Sequence, residues 1–295
     1  MAVLLASMAA HAKLNVVATT PDFGAIAREI GGDKVDVFTM AKPTEDAHFV
    51  DAKPSFVVKL NKADALIEGG AELEIAWLGP LVEQARNSRL ASGKPGRIAC
   101  NQGIAMLEVP ATLDRSRGDE HAAGNPHFTT DPANAKIAAQ TIANAFTALD
   151  AKSADAFKAN LERFNQRIDT KMAEWKKALA PYAGKRIASY HNSWPYFTKR
   201  FELKGDLFLE PKPGIPPSPA HLSEVIATMK NENVKIIIVE PHVNHRSADL
   251  VASRTDAVVL DFAAYPGGKG VPDDYAGWMD SLVQALAKAF AAKTK

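Results

Sequence analysis

Cysteine is nearly absent from this sequence: the only one among its 295 residues is Cys100. A single cysteine cannot form an intramolecular disulfide, and it excludes the zinc motifs that depend on several thiolates. Any metal site in this chain would therefore be built from histidines and carboxylates.

An excess of charge of either sign is also missing. The chain carries 35 basic and 34 acidic side chains, which gives a formal net charge of +1. This balance excludes the broad basic surface that nucleic acids require and the polybasic run that binds a membrane surface. We therefore expect no nucleic-acid partner and look for function in local sites.

Long apolar runs are lacking except at the start of the chain. Residues 1–12, MAVLLASMAAHA, have the length of a signal-peptide core and end in the small-x-small pattern of Ala10, His11 and Ala12. The basic segment that normally precedes such a core is missing, so we interpret residues 1–12 as a truncated signal peptide. A frayed terminal segment or short helix is the alternative. No other run reaches the roughly 18 residues of a membrane span, so we expect a soluble mature chain that begins near Lys13, without a lipid anchor.

Short β-branched runs alternate with helical patterns along the rest of the chain. This rhythm predicts an α/β fold with mostly parallel sheets, and the length suits two domains of about 100 to 150 residues. The predicted strands are residues 14–20, 34–40, 64–70, 185–190, 206–210, 234–240 and 257–262. We predict an N-terminal lobe over residues 13–152, a linker helix over 153–182 and a C-terminal lobe over 183–295.

The linker prediction rests on a narrow apolar stripe whose members are three or four residues apart. They are Phe157, Leu161, Phe164, Ile168, Met172, Trp175 and Leu179. This spacing is typical of one long amphipathic helix, and about 33 Å of helix would cross a whole domain. Two lobes joined in this way place the carboxyl ends of their strands around a common cleft, where ligands of such sheets bind.

Four potential metal ligands fall in loops or at strand ends near that cleft. His48 follows one predicted strand, His127 lies in the run GNPHFTTDP, His191 follows the strand IASY, and Asp261 ends AVVLD. Three imidazoles and one carboxylate suffice for a tetrahedral zinc site. Each residue also has an ordinary alternative, as a surface or hydrogen-bonding histidine or, for Asp261, a turn former. Asp131 before Pro132 is interpreted as a helix N-cap.

Five segments, in this order and spacing, resemble the cluster A-I substrate-binding proteins of metal ABC importers, the periplasmic zinc or manganese receptors. They are TEDAHFVDAKPS (44–55), GNPHFTTDP (124–132), SYHNSWPYF (189–197), GIPPSPAHLSEVI (214–226) leading to VKIIIVEP (234–241), and VVLDF (258–262). The similarity extends from about residue 14 to residue 290. It implies two α/β lobes linked by a long rigid helix, with the metal between them.

Carried over position by position, the resemblance implies four metal ligands: His48, His127, His191 and Asp261. Histidine at the third position favours zinc over manganese, because imidazole replaces a hard oxygen ligand. The implied partners are a divalent metal ion and the membrane permease of an ABC importer, with a periplasmic metallochaperone left open as donor. We expect a monomeric, non-enzymatic periplasmic receptor whose metal affinity falls as the pH drops through about 6 to 6.5.

Other residues leave alternatives open. Glu240, at the end of VKIIIVE, is interpreted as an acceptor for a ligand histidine or a helix-terminus partner, and His242 and His245 as surface or rim residues. The loop at residues 114–124 is short and carries only His121, so an accessory metal-collecting loop is not expected. The rival functions are a manganese receptor, a receptor for a chelated metal or a small organic ligand, and a zinc-dependent hydrolase with Glu240 as base. No HExxH run or nucleophile-elbow motif supports the hydrolase.

Overall fold

The structure is a computed structural model that describes residues 12–112 and 121–293. The predicted signal peptide lies outside the described residues except for Ala12. Of the short loop at residues 114–124, only residues 121–124 are described.

Eight strands form two four-stranded sheets in the described chain, and every pairing between them is parallel. The first sheet has the order β2-β1-β3-β4 and the second β6-β5-β7-β8. The strands are β1 (Leu14–Ala18), β2 (Val35–Thr39), β3 (Ala65–Glu68), β4 (Arg97–Ala99), β5 (Arg186–Ser189), β6 (Lys204–Phe208), β7 (Ile236–Val239) and β8 (Val258–Asp261). The predicted fold class, two α/β lobes with parallel sheets, is confirmed.

The helices lie between these strands and at the junction of the lobes. They are α1 (Pro21–Gly31), α2 (Pro54–Lys62), α3 (Leu78–Ala85), α4 (Pro132–Leu149), α5 (Ala154–Leu179), α6 (Pro195–Arg200), α7 (Pro219–Asn231), α8 (Arg246–Thr255) and α9 (Tyr275–Lys293). Five of them begin with proline, whose fixed φ and missing N–H suit the first position of a helix. The short strand β4 was not predicted, because three residues are too few to establish a hydrophobic period.

The long helix α5 is the predicted linker. All the stripe residues except Met172 are buried, and Met172 is partly buried against the same core. Helix α5 packs on α1 and α4 of the first lobe and on α9 of the second. The side chains of both lobes therefore join in one continuous apolar core around this helix.

Direct polar contacts also join the lobes. Asp131 caps the start of α4 by accepting the N–H of Ala133 at 2.8 Å, as the sequence predicted. The same carboxylate accepts two hydrogen bonds of 2.7 Å from Arg200, at the end of α6 in the second lobe. Nearby, the Tyr275 hydroxyl donates to the backbone oxygen of Thr129 at 2.6 Å. These contacts lie directly behind the loop that carries His127.

None of the helices within the described ranges combines the length and the apolar character that crossing a bilayer demands.

The double role of Asp131 yields a stability prediction. We expect Asp131→Ala to lower the free energy of unfolding by about 2 kcal/mol, because the helix cap and a partly buried ion pair are both lost. Asp131→Asn should lower it by only about 1 kcal/mol, since asparagine still caps the helix and only the ion pair is weakened. Urea unfolding at pH 7 measures both values. Equal losses in the two variants would contradict the separation of the two roles.

Candidate metal centre

Three of the four predicted site residues come together in the cleft between the lobes. His48 lies in the loop after β2, His127 in the loop before α4, and His191 directly after β5. Each offers a ring nitrogen, and these nitrogens lie within 4.8 Å of one another. The ring centroids are 5.3 Å apart for His48–His127 and for His48–His191, and 5.4 Å for His127–His191.

Each of these rings is oriented by an oxygen acceptor at its Nδ1. His48 Nδ1 lies 2.8 Å from Asp46 Oδ1 and His191 Nδ1 lies 2.7 Å from Glu210 Oε2. His127 Nδ1 lies 3.0 Å from Asn125 Oδ1. A carboxylate or amide oxygen can only accept, so each Nδ1 carries the hydrogen, and the Nε2 lone pair of the neutral ring remains available for a metal ion.

His48 and His127 are placed by the same local motif. In both, an oxygen acceptor two residues earlier in the chain binds the backbone N–H of the histidine as well as its Nδ1. The backbone distances are 2.9 Å for Asp46–His48 and 3.0 Å for Asn125–His127. Such turns are typical of Asp and Asn. The ring and the backbone are therefore fixed together, and the two loops present their imidazoles in the same way.

His48 provides the clearest sign that a ligand belongs in this centre. The side chain is buried, and within the described part of the chain its Nε2 has no hydrogen-bond partner. A buried polar atom without a partner is costly, so proteins seldom retain one without a functional reason. A metal ion bound by the three imidazoles would satisfy this nitrogen.

The protonation of the three rings is governed by burial and by neighbouring carboxylates. Burial, together with the nearby charges of His48 and His191, holds the pKa of His127 well below 6.5, so this ring is neutral. Burial also lowers the pKa of His191, but the hydrogen bond and charge of Glu210 outweigh it and raise the pKa. Burial raises the pKa of Asp46, but its hydrogen bonds with the ring and the backbone N–H of His48 outweigh burial and lower the pKa, so the carboxylate is ionised.

Asp261, the fourth predicted ligand, is not brought to the three histidines. Its side chain is 76% exposed, and its Oδ1 lies 2.9 Å from His245 Nε2. The next residue, Phe262, is fully buried and packs against Trp194 with ring centroids 4.6 Å apart. Because successive side chains in extended backbone point in opposite directions, burial of Phe262 directs Asp261 outwards. In this structure the three histidines converge without Asp261, and the set of four ligands stays a prediction.

The other residues that the sequence left open have distinct positions. Glu240 is fully buried, and its Oε1 accepts a hydrogen bond of 2.8 Å from Trp194 Nε1. Its pKa is raised chiefly by this burial. His242 lines the cleft, with its Nε2 4.0 Å from Asp46 Oδ2. Glu240 thus fixes the aromatic side chain behind His191.

Sequence reasoning missed the three oxygen acceptors Asp46, Asn125 and Glu210. Two of them could have been found from the repeated pattern of Asp or Asn two residues before a site histidine. Glu210 gives no local signal, because it reaches His191 from the end of a different strand.

The cleft in front of these residues encloses about 100 Å³, which is room for an ion and a few water molecules.

Comparison with known proteins shows the family to which the chain belongs. The family model ZnuA, described as zinc-uptake complex component A, periplasmic, matches residues 16–289. The manganese ABC transporter substrate-binding lipoprotein PsaA of Streptococcus mitis is 25% identical over 290 residues, covering 94% of this chain and 90% of that protein. The metal ABC transporter substrate-binding lipoprotein ScbA of Streptococcus cristatus is 24% identical over 286 residues, with coverage of 94% and 88%.

Solved structures show the same fold. A zinc-bound deletion mutant of ZnuA has a TM-score of 0.80 at 26% identity, with coverage of 94% of this chain and 98% of that one. A manganese-bound periplasmic metal binding protein from Candidatus Liberibacter asiaticus has a TM-score of 0.76 at 22% identity, with coverage of 92% and 98%. Since the family model spans nearly the whole sequence, the chain belongs to the ZnuA family, the substrate-binding components of metal ABC transporters.

Proposed function

We propose that this protein captures zinc in the cleft between its lobes, using His48, His127 and His191, and delivers it to the membrane permease of an ABC importer. The observation that carries the proposal is the convergence of three imidazoles whose Nδ1 atoms are all bound to oxygen acceptors. This arrangement is typical of metal-binding histidines, because the acceptor fixes the ring and increases the basicity of Nε2. We place the protein in the periplasm, and its release from whole cells by osmotic shock checks that location.

The charge around the centre supports a divalent cation. Ionised Asp46 adjoins His48, and Glu210 adjoins His191. Two carboxylates that act through the imidazoles can offset the double positive charge of the ion without touching it. Burial of the ion in the cleft is therefore electrostatically favourable.

A hydrolase is excluded by family membership, since the ZnuA family consists of substrate-binding components and the chain is not an enzyme. The position of Glu240 is consistent with this conclusion. A general base needs access to a water molecule, whereas Glu240 is fully buried and holds the indole of Trp194.

The function is tested first by metal stoichiometry. We expect the purified protein to bind one zinc ion, and His127→Ala to weaken zinc binding roughly 100-fold or more, because one of three converging donors is lost. His221→Ala is the matched control, since His221 lies on α7 and does not line the cleft. Competitive titration against a chromogenic chelator measures both. Unchanged zinc binding in His127→Ala would contradict the proposed site.

The second test separates zinc from manganese, the alternative that relatives named as manganese receptors keep open. The converging group contains imidazoles and no carboxylate, and such a set favours zinc over the harder manganese ion. We expect zinc to displace manganese completely in a competition experiment, and manganese to fail to displace zinc at a hundredfold excess. Tighter binding of manganese would instead identify a manganese receptor.

The third test concerns pH. A metal ion and a proton compete for the Nε2 of His191, whose pKa Glu210 raises above 6.5. Zinc affinity should therefore begin to fall at a pH above the 6 to 6.5 that the sequence suggested. In Glu210→Gln the charge is lost and burial dominates, so the pKa of His191 falls and the loss of affinity shifts to lower pH.

At pH 7.5 the Glu210→Gln variant should also bind zinc about 10- to 100-fold more weakly, because the ring loses its carboxylate acceptor. Zinc dissociation constants measured between pH 5 and 8 check both effects. The same pH dependence in the two proteins would show that Glu210 does not control His191.

A further inference from the structure

A fourth histidine lies beside the centre, at a position that no sequence motif assigned to it. The ring of His121 stacks on the ring of His48, with an interplanar angle of 27° and a centroid distance of 5.4 Å. This distance matches the 5.3 to 5.4 Å that separates the centroids of the three converging histidines. His121 is thus as near to His48 as the other two rings are.

These distances are those of imidazoles arranged around one zinc ion. With a Zn–N bond of about 2.0 Å and the ring centroid about 1.1 Å beyond the nitrogen, two centroids at the tetrahedral angle are about 5 Å apart. The nitrogens of His121 do not yet belong to the group that lies within 4.8 Å. A rotation of its side chain would be needed for one of them to join that group.

His121 faces a cavity that makes such a rotation feasible. It lines a space of about 260 Å³ together with Glu108, His127, His191 and Asn192. The neutral imidazole of a histidine has a ring nitrogen with a free lone pair, the kind of donor that zinc binds. The cavity is large enough for the imidazole to turn within it.

The backbone after His121 is anchored, so the ring is presented at a defined position. The N–H of Ala122 donates to Glu72 Oε2 at 2.6 Å, and the N–H of Gly124 donates to the His121 oxygen at 3.0 Å. Gly124 has a φ of +95°, and an added Cβ would lie 2.6 Å from the Leu107 oxygen. Only glycine fits this turn, which connects His121 to the loop of His127.

We propose that His121 is the fourth nitrogen donor to the bound ion, in the position that the sequence pattern gave to Asp261. This assignment rests on the zinc-binding function proposed above and adds a ligand to the same site. The side chain of His121 rotates from the face of His48 towards the cleft and closes the coordination shell at its mouth. Four imidazoles and no carboxylate then surround the ion, which strengthens the preference for zinc over manganese.

The decisive experiment compares His121→Ala with Asp261→Ala, and uses His221→Ala as the control outside the site. Each variant is loaded with zinc for X-ray absorption and with cobalt(II) for visible absorption, and its zinc affinity is measured by chelator competition. We expect His121→Ala to keep one zinc ion but to bind it more than about tenfold more weakly. Its absorption data should show one imidazole fewer, and its cobalt spectrum should change in intensity as water replaces the ring.

Added imidazole provides a rescue that a purely structural role of His121 would not show. The cavity of about 260 Å³ can accept free imidazole in His121→Ala, and the cobalt spectrum should return towards that of the original protein. His121→Gln, which keeps a polar side chain of similar length, should show the same loss but little rescue, because the amide occupies the space that free imidazole needs. Asp261→Ala should bind zinc like the unaltered protein.

Two results would overturn the proposal. One is an unchanged zinc affinity and cobalt spectrum in His121→Ala. The other is a loss of one ligand in Asp261→Ala with none in His121→Ala, which would make Asp261 the fourth donor. Failure of the proposed function itself looks different, because His127→Ala would then also leave zinc binding unchanged.

Discussion

The centre depends on one kind of hydrogen bond, the contact between a histidine Nδ1 and an oxygen acceptor. It occurs at Asp46–His48, Asn125–His127 and Glu210–His191. Without an acceptor, an imidazole can exchange its tautomer and rotate about two side-chain bonds. With one, the hydrogen stays on Nδ1 and the Nε2 lone pair keeps its direction. The acceptors therefore convert three ordinary loop histidines into a converging set of donors.

The acceptors need a rigid frame, and contacts between the lobes provide it. Asn125 accepts the Tyr196 hydroxyl at its backbone oxygen and donates its side-chain amide to the Asn192 oxygen, at 2.8 and 2.9 Å. The loop that carries His127 is thus tied to the second lobe beside His191. Behind it, α5 joins both lobes in one apolar core. With a frame of this kind, we expect the loops to move when the ion binds or leaves, because large rotations of the lobes would separate packed side chains.

The regular elements could be predicted because their signals are local. The apolar spacing of α5 places six of its seven stripe residues in the core, and the β-branched runs identify seven of the eight described strands. The missed strand, β4, has only three residues and pairs with β3 alone. A strand this short is stabilised by its hydrogen bonds to the neighbouring strand. Because that strand is distant in the chain, the local sequence pattern does not indicate the pairing.

The site was less accessible to prediction, as Asp261 and His121 illustrate. The pattern around Asp261 is that of a ligand at a strand end, but burial of Phe262 against Trp194 decides where its carboxylate points. His121 has no motif of its own, and only the folded chain stacks it on His48. In both cases the decisive contact is made by an aromatic or imidazole ring far away in the sequence.

The sequence by itself determined the types of donor atom, the order of strands and helices, and the positions of the histidines in loops and after strands. These are properties of residue identity and local periodicity, which neighbouring residues specify. Only the tertiary structure decided which donors meet and which acceptor holds each ring. Side-chain direction at the cleft follows from packing between segments distant in the chain, and that packing exists only once both lobes have folded around α5.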